Sequence, residues 1–119
     1  MVNVKRVYDD PDPADGQRVL VDRLWPRGLR KDGAAVDVWL RDVAPSDELR
    51  QWFGHDPARF DEFAGRYRAE LADTRRSAAL AQLREYVDTG PVTLLTATRD
   101  VAHAHAGVLA DLLAESSAS

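Results

Sequence analysis

Two arginines flank a rigid Trp-Pro turn in Asp22-Arg23-Leu24-Trp25-Pro26-Arg27-Gly28. A guanidinium presents a planar fork of donors that fits a carboxylate or phosphate, and the Trp25 indole offers a face on which a base or a guanidinium can stack. Arg23, Arg27 and Trp25 therefore read as an anion clamp. The competing reading makes Asp22 the structural salt-bridge partner of an arginine and Trp25 a plug for a sheet edge. The richest stretch is Thr96–His105 (TATRDVAHAH), which gathers two hydroxyls, Arg99, a capping carboxylate and two histidines around one helix start. His103 falls on the first turn, toward the strand edge or solvent, and is the candidate general acid or base. His105 shares an apolar stripe with Val101, Val108 and Leu112, where a hydrogen-bonded core histidine is expected. His55, in Trp52-Phe53-Gly54-His55-Asp56-Pro57, is a second acid–base candidate, weighed against simple pairing with Asp56 or a carbonyl. Ser46, after Ala44-Pro45, stands where the free donors of a helix's first turn could seat an anion, weighed against a plain N-cap.

What the sequence lacks narrows the chemistry further. His103 and His105 would lie about 200° apart on a regular helix, so they do not converge on one metal ion. With no cysteine among 119 residues, thiolate catalysis, disulfides and cysteine-based metal centres are excluded. No P-loop, GxGxxG, GxSxG or zinc pattern is present, and the expectation is no metal and no cofactor. Sixteen basic residues against 20 acidic give a net charge of −4, which argues against broad wrapping of a nucleic-acid backbone while leaving room for a local basic patch. No apolar run approaches the ~20 residues that span a bilayer, and MVNVKRVYDD has the look of neither a signal nor a transit peptide. A cytoplasmic protein without membrane contact is expected.

The elements that must position these residues follow from periodicity. Arg18–Leu24 and Val92–Ala97 are nearly continuous apolar runs, as befits strands covered on both faces. The opening residues form a weaker first strand before the DDPDPADG turn, and Val36–Ser46 contributes a strand or irregular extended segment. Ser46 opens a helix that stops by Gly54. Asp56-Pro57 starts the next, with Phe60, Phe63, Tyr67 and Leu71 at helical spacing. A third helix from about Ser77 carries Leu80, Leu83, Tyr86 and Val87 to Gly90-Pro91. Asp100 caps the last, and Glu115–Ser119 forms a frayed polar tail. The expectation is one α/β domain over residues 1–114, a small three-layer unit with a mostly parallel sheet of about four strands and helices on both faces. In such sheets ligands bind outside the carboxyl ends of the strands, where the polar turns would meet.

The motifs DRLWPRG at Asp22–Gly28, APS at Ala44–Ser46, WFGHDP at Trp52–Pro57, YRAEL at Tyr67–Leu71 and PVTLLTATRD with HAHA at Pro91–Ala106 together resemble the YeaO-like proteins, a bacterial family called domain of unknown function 488. The resemblance covers nearly the whole chain and implies a small cytoplasmic α/β protein without an established activity. Where members commonly carry an aromatic residue or alanine at the strand end, this chain has Thr96 and Thr98.

The reading is a cleft at the strand carboxyl edge, lined by Arg23, Arg27, Ser46, His55, Arg99 and His103, that binds or processes a small phosphate- or nucleotide-bearing anion. As an enzyme it would neutralise charge with Arg23 and Arg99 and use His103 or His55 as acid–base. The alternative is a non-catalytic module for a nucleic-acid end or a protein carboxylate. A third reading makes Trp25, Trp39 and Trp52 the surface of a homodimer.

Overall fold

The computed structural model describes residues 2–32 and 34–117. Its centre is a sheet of four strands, all parallel, in the order β1-β4-β2-β3, where β1 is Val2–Arg6, β2 Gln17–Leu20, β3 Val38–Trp39 and β4 Val92–Thr96. This is the α/β fold with a parallel sheet that the apolar runs predict. The two central strands are β4 and β2, and every residue of β4 is buried, which is why their sequences do not alternate. β3 is only two residues long. It pairs through Val19↔Val38 and Leu20↔Trp39, and the chain then leaves it for a 3-10 turn at Arg41–Val43.

Four α-helices follow the strands: α1 Asp47–Phe53, α2 Phe60–Glu70, α3 Thr74–Thr89 and α4 His105–Ser117. Ser46 caps α1 by accepting from the Leu49 N–H at 3.1 Å, and Gly54 closes it in the left-handed region at φ 54°. Asp56 accepts from Ala58 N–H and Pro57 opens a 3-10 turn that runs into α2. Two helix starts differ from the sequence reading. α3 begins at Thr74 rather than near Ser77, because Asp73 accepts from the Arg76 N–H at 2.7 Å and serves as its cap. α4 begins at His105 rather than after Asp100. Val101–His103 is a separate 3-10 turn ending at an extended Ala104, and the Asp100 carboxylate bonds the His103 ring instead of capping backbone. α4 also runs on to Ser117, beyond the expected start of a polar tail, and Arg68 holds the Glu115 carboxylate through bonds of 2.9 and 3.1 Å. Residues 118–119 of that tail lie outside the described residues.

The core-facing residues of all four α-helices join one cluster with Val19, Val21, Val92 and Leu94 on the first face of the sheet. On the second face Leu20, Leu95 and Val7 pack under Trp25, Leu29 and Val36 of the β2–β3 crossover and under Trp39 of β3. The helical element there is the short 3-10 turn Pro13–Asp15, tied to β4 by the Thr93 hydroxyl, which donates to the Asp15 carbonyl at 2.9 Å. The crossover's Trp, Pro and Gly punctuation offers no helical stripe, so this layer is loop rather than helix. Gly16 makes the close approach possible: at φ 62° it sits where a Cβ would fall 2.1 Å from the Pro91 carbonyl oxygen.

Candidate functional site

Neighbouring strands β2 and β4 send their chains to opposite faces, β2 into the crossover on the second face and β4 toward α4 on the first. Such a parting opens a crevice at the carboxyl ends of the two strands. A cleft of about 720 Å³ occupies that position.

Asp22, just past β2, ties the two strand ends together. Its carboxylate accepts from the Thr96 hydroxyl and from the Ala97 N–H, each at 2.8 Å, and its carbonyl accepts from the Trp39 indole N–H at 2.8 Å. His105, largely buried at the start of α4, donates from Nε2 to the Val21 carbonyl at 2.9 Å and stands 3.5 Å from Asp22. It also meets Tyr67 edge to face, and the Tyr67 hydroxyl in turn donates to the Val43 carbonyl. Burial lowers the His105 pKa, with the Asp22 charge and the Val21 bond acting in the opposite direction.

The walls carry the positive charge. Arg23 and Arg27 come from the turn after β2, and Arg50 from α1. Arg23 and Arg50 grip opposite oxygens of one carboxylate, Asp47, the second at 3.0 Å. The Arg23 hydrogen bond is the main reason that Asp47 is held below the usual carboxylate range. Among the described residues the Arg27 guanidinium has no hydrogen-bond or ion-pair partner; only its backbone carbonyl is engaged, accepting from Tyr8. Three arginines thus line the cleft against a single aspartate, Asp22.

Both proposed acid–base histidines reach this cleft. His103 is fixed by Asp100, 2.8 Å from its Nδ1, and by an edge contact to Phe60. His55 is exposed and held at φ 57°, a conformation uncommon outside glycine, in the turn that joins α1 to the segment before α2. Trp25 also lines the cleft; its indole donates to the Leu29 carbonyl at 2.6 Å and packs edge to face on Trp39.

Ser46 and Arg99 are placed elsewhere. Glu70 fills the anion seat at Ser46, accepting from its N–H at 2.8 Å and from its hydroxyl. Arg99 is exposed on the turn after Thr98 and does not line the cleft. Asp22 pairs with neither Arg23 nor Arg27, because the Thr96 and Ala97 donors take both of its oxygens. The three tryptophans are each partly buried rather than fully exposed, and Trp52 is covered by the guanidiniums of Arg59 and Arg66 at 5.4 and 4.4 Å. Arg50 is the site residue that sequence reasoning misses, since an arginine three places after Asp47 reads as a helix-surface pair. Among the described residues no three histidine or acidic side chains gather to hold a metal ion, and no helix is long and apolar enough to cross a membrane.

A family model described as the inactive DUF488-N3 subclade matches residues 1–119. An uncharacterized protein of Mycobacterium tuberculosis (strain H37Rv) is 62% identical over 94% of this chain and 92% of its own length. The uncharacterized protein YeaO of Escherichia coli K12 is 40% identical over 94% of this chain and 96% of its own. No solved structure gives a significant match.

Proposed function

The chain belongs to the inactive DUF488-N3 subclade, and we propose that it is a binding module for a small phosphate-bearing anion, held without turnover at the carboxyl ends of β2 and β4. The observation that carries this reading is the charge of the cleft: Arg23, Arg27 and Arg50 line it with Asp22 as the one acidic lining residue, and Asp47 just outside pairs with two of the three, which leaves Arg27 without a carboxylate partner among the described residues. Arg23 and Arg50 share one half-exposed carboxylate, so an incoming phosphate can take its place between them and gain two charge-assisted contacts. The Asp22 carboxylate is turned to the Thr96 hydroxyl and the Ala97 N–H, which offset part of its negative charge.

One observation favours a catalytic reading. His103 is oriented by Asp100 through Nδ1, which leaves Nε2 at the cleft for proton transfer in hydrolysis or group transfer. Calorimetric titration with phosphate, sulfate and mononucleotides, paired with phosphorus NMR of the same mixtures, separates the two. Binding should weaken roughly tenfold, or about 1.4 kcal/mol, in Arg23→Ala and in Arg50→Ala, with no product formed. Absence of binding at millimolar ligand overturns the proposal, and product that disappears in His103→Ala replaces it with the catalytic reading.

A further inference from the structure

Beside the cleft lies a second hollow of about 470 Å³, and the two share Arg23, Leu24, Ala44 and Pro45. Their linings differ in kind. Trp25, Pro26, Phe53 and Phe63 make the first hollow largely apolar, whereas the second sets Arg41, Arg75 and Arg76 beside Arg23, against Asp42 and Asp47. These cations are not all committed. The Arg41 guanidinium rests on the Trp39 ring at 4.5 Å and has no carboxylate partner among the described residues. Arg75 stands 3.9 Å from Asp42 with both side chains open to solvent. Arg76 is held more firmly, donating to the Ala44 carbonyl at 2.8 Å and pairing with Asp73, and Arg23 pairs with Asp47. Leu24 lines both hollows and is 67% exposed, an apolar side chain that a ligand spanning the junction would cover.

We infer that the ligand is a nucleoside di- or triphosphate, its base in the apolar cleft, its first phosphate at the Arg23–Arg50 pair and its outer phosphates in the second hollow toward Arg41 and Arg75. A flat ring suits the aromatic and apolar lining of the first hollow. Successive phosphates suit a run of guanidiniums, each able to hold one bidentately. Inorganic phosphate fills the junction alone, and a nucleoside fills the cleft alone, so each captures part of what the joined ligand gains. This rests on the anion-binding reading above and goes beyond it in fixing ligand class and orientation.

The test is calorimetric titration of the full chain with the four common ribonucleoside diphosphates, the four nucleosides, inorganic pyrophosphate and inorganic phosphate. At least one nucleoside diphosphate should bind tenfold or more tightly than both pyrophosphate and its own nucleoside, about 1.4 kcal/mol. The double variant Arg41→Ala/Arg75→Ala, both exposed positions, should lose most of that advantage while binding inorganic phosphate as the wild type does. Nucleoside diphosphates that bind no more tightly than pyrophosphate, or that ignore the double variant, overturn the inference while phosphate binding stands. Absence of phosphate binding by the wild type overturns the underlying reading as well.

Discussion

Two triads in this molecule have the same composition, one aspartate between two cations, and opposite surroundings. Asp15 sits between Lys5 and Arg18 with side-chain exposures of 8%, 28% and 5%, while Asp47 sits between Arg23 and Arg50 at 52%, 49% and 44%. Around Asp15 the remaining hydrogen bonds are also made within the chain. Arg18 donates to the Ala35 and Asp9 carbonyls, Lys5 to the Asp10 carbonyl, and Asp15 accepts from the Asp12 N–H. Both aspartates are held below the ordinary carboxylate range, Asp15 mainly by Lys5 and Asp47 mainly by Arg23. The charges alone therefore do not distinguish a structural pin from a binding site. Burial and saturation do, because only the Asp47 triad leaves room for a different anion to replace its carboxylate.

The largest expected effect breaks the buried triad. Arg18→Ala leaves Asp15 in a dry site with one cation fewer, and urea melts should show a loss of about 3–5 kcal/mol. Arg23→Ala should cost about 0.5 kcal/mol or less by the same measurement. Equal losses would erase the distinction. Next comes the histidine pair. His105→Ala removes packing against Tyr67 and leaves the Val21 carbonyl without its donor, a loss of about 1–3 kcal/mol. His103→Ala should leave stability within about 0.5 kcal/mol while weakening the ligand. The same histidine predicts a pH profile. Folded His105 takes its proton less readily than in the unfolded chain, where its pKa is about 6.5. Its contribution is therefore full above that value and falls as pH drops through about 6.5 toward the depressed folded value. Melts of His105→Gln between neutral and mildly acidic pH should show a flatter profile than the wild type. The smallest effect on the ligand is at the neighbouring helix start, where Ser46→Ala should cost about 1 kcal/mol of stability without altering phosphate affinity, since Glu70 already occupies that seat. A loss of phosphate binding in Ser46→Ala would move the site toward the second hollow.

The parts legible in the sequence are those set by local pattern. Val19–Val21 and Val92–Leu95 announce central strands because burial on both faces removes alternation, and Ser46, Gly54 and Asp56-Pro57 announce helix ends because caps are local chemistry. The helical spacing of His105 to its stripe partners Val108 and Leu112 carries it inward to the Val21 carbonyl and Tyr67, at a place where it also lines the cleft. The same stripe misleads at Val101, because it does not register that Asp100 turns to His103 and breaks the helix at Ala104. Asp73 is as good a cap as Asp56, yet the large apolar positions of α3 begin only with Leu80, so periodicity places its start near Ser77 instead of Thr74. The lining of the candidate cleft is legible in the β2 and β4 turns and illegible in Arg50, whose place there depends on how α1 packs in the folded chain. The switch between β2 and β4 depends on strand order, and order is decided by long-range packing that no window of sequence contains.

The central claim is that the exposed triad, and not the buried one, belongs to a site. Amide shifts of the isotopically labelled chain, followed through a phosphate titration, test it most directly. The account predicts saturable shifts at Arg23, Leu24, Arg50 and His103, with Lys5, Asp15 and Arg18 unmoved. Saturable shifts centred on Asp15 and Arg18, or none at any residue at millimolar phosphate, would contradict it.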